Sequence, residues 1–388
     1  MEYEGTAIFR CAMDEASRLD LKGLADAGFG WICLRAFLCA DDSGDPHAAM
    51  DYRRVDPRFG GDEGFTRFLG CCQSAGLRLM VELALDRCSP RSAYAVEHPE
   101  WFVLEGEKPA IQRGELNLPS PGAKLGRRRP GPASTVDFDF SSSPALWIEL
   151  FSVLAFWRDK GAEGFLIDSA SLVPLDFWRQ ARQRVGQMDP GSKRERHPLL
   201  WAASGTRPSE LLSLRSSGIR VLSDPELHSV FDLTMDLDGA ERLEPRHAGT
   251  LDADLRRYLE YLYAQETLYP AGARKIRMAF AGGMEGISRR DREILALAAC
   301  FSPGALMVDS GGEDAVLPLL KSCAQAKVEA PEFSWSEEAG DILRLERRHG
   351  GSLRYVAFLR GRAQTPPGWD ILFRGADGGV PELAGISG

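Results

Sequence analysis

The sequence predicts a closed (β/α)8 barrel followed by a small antiparallel β-domain. Three observations predict it. Eight short apolar runs alternate with amphipathic segments, and glycine or proline separates one from the next. After residue 325 the rhythm changes to alternating runs divided by turn residues. The length of 388 residues holds one barrel and an appendage. Eight strand–helix repeats favour a closed barrel over an open sheet.

The expected barrel strands are TAIFRC (6–11), WICLRAF (31–37), LRLMVELAL (77–85), GFLIDSA (164–170), LLWAASG (199–205), IRVLSD (219–224), KIRMAFAGG (275–283) and ALMVDSGG (305–312). Helices are expected between them. The stretch at 17–28 opens on Ser17, an N-cap residue type, and ends at Gly28. The stretches at 63–76 and 145–161 each end on a glycine placed to close a helix. RRDREILALAACF (289–301) is again amphipathic. Residues 87–143 are rich in Pro, Gly, Arg and Ser, and a connection that long implies a function or a small subdomain. The barrel is therefore set at 1–325 and the β-domain at 326–388, with strands expected at 341–348, 352–361 and 370–375.

Composition excludes several classes. The net charge is −9, from 47 basic and 56 acidic residues, which argues against nucleic acid as the main partner. The basic run Arg127, Arg128, Arg129, with Lys124 nearby, reads as a solvated loop. No apolar run reaches the roughly 18 residues that a membrane span needs. The first residues lack a basic and an apolar leader, so a cytoplasmic protein with reduced thiols is expected. Cys71 and Cys72 fall in a helical pattern and read as small buried residues. The six histidines show no HxH or HExxH spacing, so no zinc site and no cofactor is expected. Trp147 and Phe151 at helical spacing read as core, whereas Trp201, inside the fifth strand, reads equally as core or as facing a pocket.

Several stretches then carry a family resemblance. DYRRVDPRFGG (51–61) with its following helix, HPEWF (98–102), GFLIDSASLVP (164–174), TRP (206–208) and REILALAACFSPGALMVDSGGED (292–314) occur in order. Between residues 30 and 325 the chain resembles the α-amylase superfamily, the barrel glycosidases of family 13 type. It is similar above all to their maltosyltransferase and trehalose-forming branches. The resemblance implies a retaining site, with a carboxylate nucleophile and a second carboxyl acting as acid/base about 5 Å away. It also implies a third acid near the seventh strand and an arginine beside the nucleophile.

Residue by residue, the pattern is altered. Asp168 stands at the nucleophile position. Leu166 replaces the arginine, so the Asp168 carboxyl is expected to lose its positive neighbour and titrate high. The acid/base position falls on Ala203, or on Ala202 or Ser204 in a shifted frame. The third acid falls on Gly283, Met284 or Gly286, and only Glu285, after a register shift, is acidic. On the third strand the family's Asp and Asn-His become Glu82, Asp86 and Arg87. Glu82 and Asp86 read equally as sugar ligands or as partners of Arg87 in a structural cluster. They do not supply the six to eight oxygens of a calcium site. The family's Tyr-Asp pair upstream becomes His47 and Ala48. Arg207 and Asp224 are expected at the mouth, and Asp309–Glu313 either at a ligand or in a plain turn.

Two readings of function follow. One is a pseudo-glycosidase that binds carbohydrate, or another protein, without ordinary hydrolysis. The other is an active α-glycosidase or glycosyltransferase with a rebuilt site around Asp168. A purely structural role is a third, because barrels host many functions.

Overall fold

The computed structural model describes residues 3–43, 45–112, 135–187, 198–207, 210–211, 214–215, 219–243, 251–268, 274–279, 287–338, 342–361, 365, 367–375 and 380–386. Eight parallel strands close the barrel: β1 Ala7–Ala12, β2 Trp31–Arg35, β3 Arg78–Ala84, β4 Gly164–Asp168, β5 Leu200–Ala203, β6 Leu233–Met235, β7 Lys275–Ala279 and β8 Ala305–Asp309. Their order around the barrel is their order in the chain. The longer helices are α1 Leu21–Ala27, α2 Gly61–Ser74, α3 Pro144–Asp159, α4 Leu175–Gln187, α5 Leu251–Leu268, α6 Arg289–Phe301 and α7 Glu313–Glu329. An antiparallel sheet follows, formed by β9 Glu332–Glu338, β10 Ile342–His349, β11 Ser352–Arg360, β12 Asp370–Arg374 and β13 Glu382–Gly385, in the order β9-β10-β11-β13-β12. No helix among the described residues is long and apolar enough to cross a membrane.

The chain divides into two compact units. One comprises Cys11–Leu19 and Ile32–Thr234, and the other Met1–Arg10, Asp20–Trp31 and Met235–Gly388. In the first, β3 and β4 run in register with Glu82 opposite Leu166 and Ala84 opposite Asp168. β5 continues the register with Trp201 opposite Phe165 and Ala202 opposite Leu166. Side chains alternate along a strand. Glu82, Leu166, Asp168 and Ala202 therefore share one face, and Phe165, Ile167, Trp201 and Ala203 the other. The second face meets the helices. The Trp201 ring lies edge-on to Phe165 at 5.3 Å and reaches Phe231 at 6.4 Å, and Phe231 packs on Trp178 of α4 at 5.3 Å. Trp201 is thus a core residue, not a pocket residue, because its register gives it the parity of Phe165 and not that of Asp168. α3 begins on Pro144 after the Ser143 cap and is closed by Gly161. Gly161 adopts φ +108°, and a Cβ there would lie 2.6 Å from Leu69 Cδ2, so only glycine fits.

In the other unit, the β9–β13 sheet is pinned to the end of α6 by Arg347. Its Nε and Nη2 both donate to the Phe301 carbonyl, at 3.1 and 2.6 Å, and its guanidinium lies over the Phe301 and Phe333 rings. A cation there also suits the negative end of the helix dipole. Lys327 Nζ donates to the Gly304 carbonyl at 2.8 Å nearby.

Some expectations need correction. The sixth strand is Leu233–Met235, not 219–224. Ser223 and Glu226 instead form a capping box that starts the short helix Asp224–His228, and the Leu222 N–H is taken by the Ser171 carbonyl. Three residues are too few to show alternation, which hid the true strand. Asp20, not Ser17, caps α1. Cys72 is buried, but Cys71 is exposed on the outer face of α2. In the β-domain, β9 and β13 lie outside the strands expected from sequence. The connection after β3 is structured in its described part. It holds the helix Ala93–Glu97 and a small sheet of Arg87–Cys88, Thr135–Asp137 and Ile111–Gln112.

Trp201→Ala is expected to lower stability by about 3–5 kcal/mol, as for other buried large-to-small changes. Trp201→Phe is expected to cost less and to leave any saccharide affinity unaltered. Urea unfolding and calorimetric titration check the pair, and a loss of ligand affinity in the phenylalanine variant would return Trp201 to the pocket.

Candidate functional site

Asp168 closes β4, with its side chain about a quarter exposed (24%). Its neighbour Ser169 adopts the left-handed conformation (φ +54°), uncommon for a residue other than glycine and frequent at functional sites. Ser169 Oγ lies 3.2 Å from Asp168 Oδ2 as its donor.

The connection just after the third strand supplies the counter-charge. Arg87 is buried, and its Nη2 donates to Asp168 Oδ2 at 2.8 Å. Its Nη1 donates to both oxygens of Asp86, at 2.7 and 2.6 Å, and to Ser169 Oγ at 3.2 Å. Its Nε is buried and has no hydrogen-bond partner among the described residues. The backbone here is held by Tyr52, whose hydroxyl donates to the Ala84 carbonyl at 2.8 Å and to that of Arg87. The expectation for Asp168 is thereby reversed. Burial alone would raise its pKa, but the Arg87 charge, the His47 charge and the bonds from Arg87 and Ser169 hold the carboxyl well below the usual range. Leu166 does remove an arginine from β4, but the guanidinium arrives from the end of β3.

His47 comes from the turn between the paired strands Leu38–Ala40 and Ala49–Val55. Side-chain-to-backbone bonds brace that turn. Ser43 N donates to Asp41 Oδ1 at 2.9 Å, Asp45 N to Ser43 Oγ at 3.3 Å, and His47 N to Asp45 Oδ1 at 2.9 Å. Ser89 Oγ ties Asp41 to the connection after β3 at 2.6 Å. The imidazole is oriented in consequence. Nδ1 lies 3.4 Å from Asp45 Oδ1, while Nε2 lies 3.8 Å from both Glu82 Oε1 and Asp168 Oδ2. Burial would lower the His47 pKa, but contacts with Asp45 and Glu82 and the Asp168 charge outweigh it and raise the value to about 9. Burial opposes Asp45's ionisation in the same way, yet the His47 contacts bring its carboxyl to about 2.

The guanidinium of Arg87 thus joins Asp86 to Asp168, and His47 joins Asp168 to Glu82. Trp201 is not among them. Arg207 is half-buried beyond β5, next to Thr206, whose Oγ1 lies 2.7 Å from Ser171 Oγ. Glu285, with Gly283, Met284 and Gly286, lies outside the described residues. Asp224 opens a helix, and Asp309 is bonded to Arg10 at 2.6 and 2.9 Å. Sequence reasoning noted His47 only as an altered position, and it missed Asp45 and Ser169, for which neither spacing nor periodicity gave a signal. On β5 the residue with the parity of Asp168 is Ala202, followed by Ser204, and neither carries a carboxyl. Among the described residues no group of three or more His, Cys, Asp or Glu side chains is placed to hold a metal ion.

No protein-family model matches the chain. It is 30% identical over 197 residues to the α-1,4-glucan:maltose-1-phosphate maltosyltransferase of Salinibacter ruber, a match covering 50% of this chain and 26% of that protein. It is 30% identical over 187 residues to the enzyme of the same name from Myxococcus xanthus, covering 46% and 25%. The matched stretch thus spans about a quarter of these curated relatives. Among solved structures, an α-amylase from Lactobacillus plantarum superposes with a TM-score of 0.76 at 21% identity, over 98% of this chain and 96% of that one. An α-amylase from Geobacillus thermoleovorans complexed with acarbose gives 0.68 at 13% identity, over 100% and 99%. At such identities the likeness is one of fold.

Two outcomes test this geometry. Arg87→Met leaves Asp86 and Asp168 without their shared cation, so it is expected to cost about 3–5 kcal/mol, as in other broken buried pairs. Denaturant unfolding at neutral pH measures it. The imidazole of His47 is expected to titrate near pH 9 by NMR, not near 6.5. Its folded pKa is raised, so its contribution to stability is complete below about pH 6.5 and is lost as pH rises through about 9.

Proposed function

Because this chain belongs to the α-amylase superfamily, whose barrel it shares, we propose that it is a pseudo-glycosidase. It binds an α-linked saccharide at the C-terminal ends of β3 and β4 and does not hydrolyse it at an ordinary rate. One observation supports this reading: Asp168 is bonded to the buried Arg87, and neither Ala202 of β5 nor Ser204 just after it, on the face of Asp168, carries an acidic proton donor. A positioned general acid contributes about 10²–10⁴-fold, and water replaces it poorly. A saccharide site at this end of the barrel agrees with where ligands of such barrels bind. The mixture of acceptors on Asp168 and Glu82 with the donor on His47 suits a polyhydroxylated ligand.

A second reading is favoured by Glu82. It approaches the same imidazole nitrogen as Asp168, each at 3.8 Å, so two carboxyl groups border one space. In that reading the site is a rebuilt α-glycosidase or glycosyltransferase, with Glu82 as the partner of Asp168.

Calorimetric titration with maltotriose, run beside a reducing-sugar assay, separates the two. The pseudo-glycosidase reading expects binding and no sugar release above the uncatalysed rate. Release that disappears in both Asp168→Asn and Glu82→Gln would establish the rebuilt enzyme instead.

A further inference from the structure

A second cleft opens beside the turn that follows β4. It holds about 280 Å³, and its apolar lining is Leu172, Val173, Pro174, Leu175 and Leu222. Its walls are fixed before any ligand arrives. Trp178 Nε1 donates to the Ala170 carbonyl at 3.0 Å, which seats the start of α4 on the turn. Leu222 N donates to the Ser171 carbonyl at 2.8 Å, which holds the chain beyond β5 against the same turn. None of Arg87, Ser169 and His47, which contact the Asp168 carboxylate, lines this cleft.

Volume and charge together narrow what it can take. An apolar cavity of about 150 Å³ takes up benzene, so this one has room for a ring with a short substituent. Its rim carries Asp176, Arg179 and Arg220. Arg179 Nη1 donates to Asp176 Oδ1 at 3.0 Å, and Arg220 Nη2 donates to Glu226 Oε1 at 3.3 Å. Both pairs are well exposed to solvent, and ion pairs so exposed are weak. Glu226 is held independently, because its Oε2 accepts from both N and Oγ of Ser223 at 2.8 Å. A guanidinium offers five N–H donors, so each arginine can take a carboxylate and keep its present partner. Asp176 sets the upper limit on charge, since a dianion beside it is repelled more strongly than a monoanion. A small hydrated ion without an apolar body gains nothing from the leucine and valine walls and loses water there.

We propose that this cleft is a second ligand site of the protein. It takes a small monocarboxylate with an apolar, ring-sized body, the carboxylate on Arg179 and Arg220 and the body on Leu172, Val173, Leu175 and Leu222. The site goes beyond the saccharide reading and does not depend on it.

The test uses ligand-observed NMR titration of the full chain at pH 7 with three probes: phenylacetate, its neutral amide phenylacetamide, and acetate. Wild type is expected to bind phenylacetate saturably, with a dissociation constant in the millimolar range or below. Phenylacetamide and acetate are each expected to bind about tenfold more weakly, one lacking the charge and the other the ring. Replacing both arginines, Arg179→Met with Arg220→Met, is expected to remove the preference for acid over amide and to leave amide binding in place. These side chains are exposed, so the fold should persist, and circular dichroism checks that it does. Leu172→Asp is expected to weaken acid and amide alike. Maltotriose is expected not to displace phenylacetate. Absence of saturable phenylacetate binding overturns the proposal. So does equal affinity for acid and amide in wild type, or a preference that survives the loss of both arginines. Displacement by maltotriose also overturns it, because the two ligands would then share one site.

Discussion

The contact between Arg87 and Asp168 organises this end of the barrel. One buried guanidinium takes Asp168 with one nitrogen and Asp86 and Ser169 with another, so the ends of β3 and β4 share a single counter-ion. Desolvation makes each of these charges costly alone and tolerable together. The arrangement also sets the chemistry. An aspartate held so firmly ionised stays an anion at every physiological pH, but the guanidinium and the serine already draw on its Oδ2 electrons. The same interaction that keeps Asp168 charged reduces its need for a ligand.

That relation was hidden in the chain because it joins residues 81 positions apart. Position 87 was legible as a changed residue at the end of a strand, and position 166 as a lost arginine. Nothing linear connects the two, and each read alone predicts a weakened site. The connection needs the parallel register that sets Ala84 beside Asp168 and so carries the following residues of β3 past the end of β4. His47 is a similar case. Its turn is encoded by closely spaced Asp and Ser residues, which is a local signal, but the direction of its ring comes from Asp45 and from the strands flanking the turn.

The fold was far more legible, and for a physical reason. Barrel strands are short apolar runs flanked by breakers, and many sequences satisfy that pattern. This explains how an α-amylase barrel at 21% identity can superpose over 98% of the chain. The failures came where an element is too short to show a period, as in Leu233–Met235, or where a polar run resembles a strand end but starts a helix, as at Ser223. Trp201 failed for another reason. Its residue type suits both a pocket and a core, and only its pairing with Phe165 decides between them.

On the pseudo-glycosidase reading, the lack of a proton donor would be more than a single missing residue. Ser204 follows Ala202 with the parity of Asp168, so a carboxyl placed there would sit on the correct face. It would still meet the His47 imidazole, 3.8 Å from Asp168 Oδ2, and an aspartate whose Oδ2 is already bonded to Arg87. A carboxyl at 204 would add one more anion on the face of Asp168, which favours keeping the imidazolium in place. On that reading, restoring the acid alone would not by itself restore the site. On the pseudo-glycosidase reading the two cations and the lack of an acid on β5 would form one coupled state, in which His47 and Arg87 are tolerated because no leaving group has to be protonated beside them.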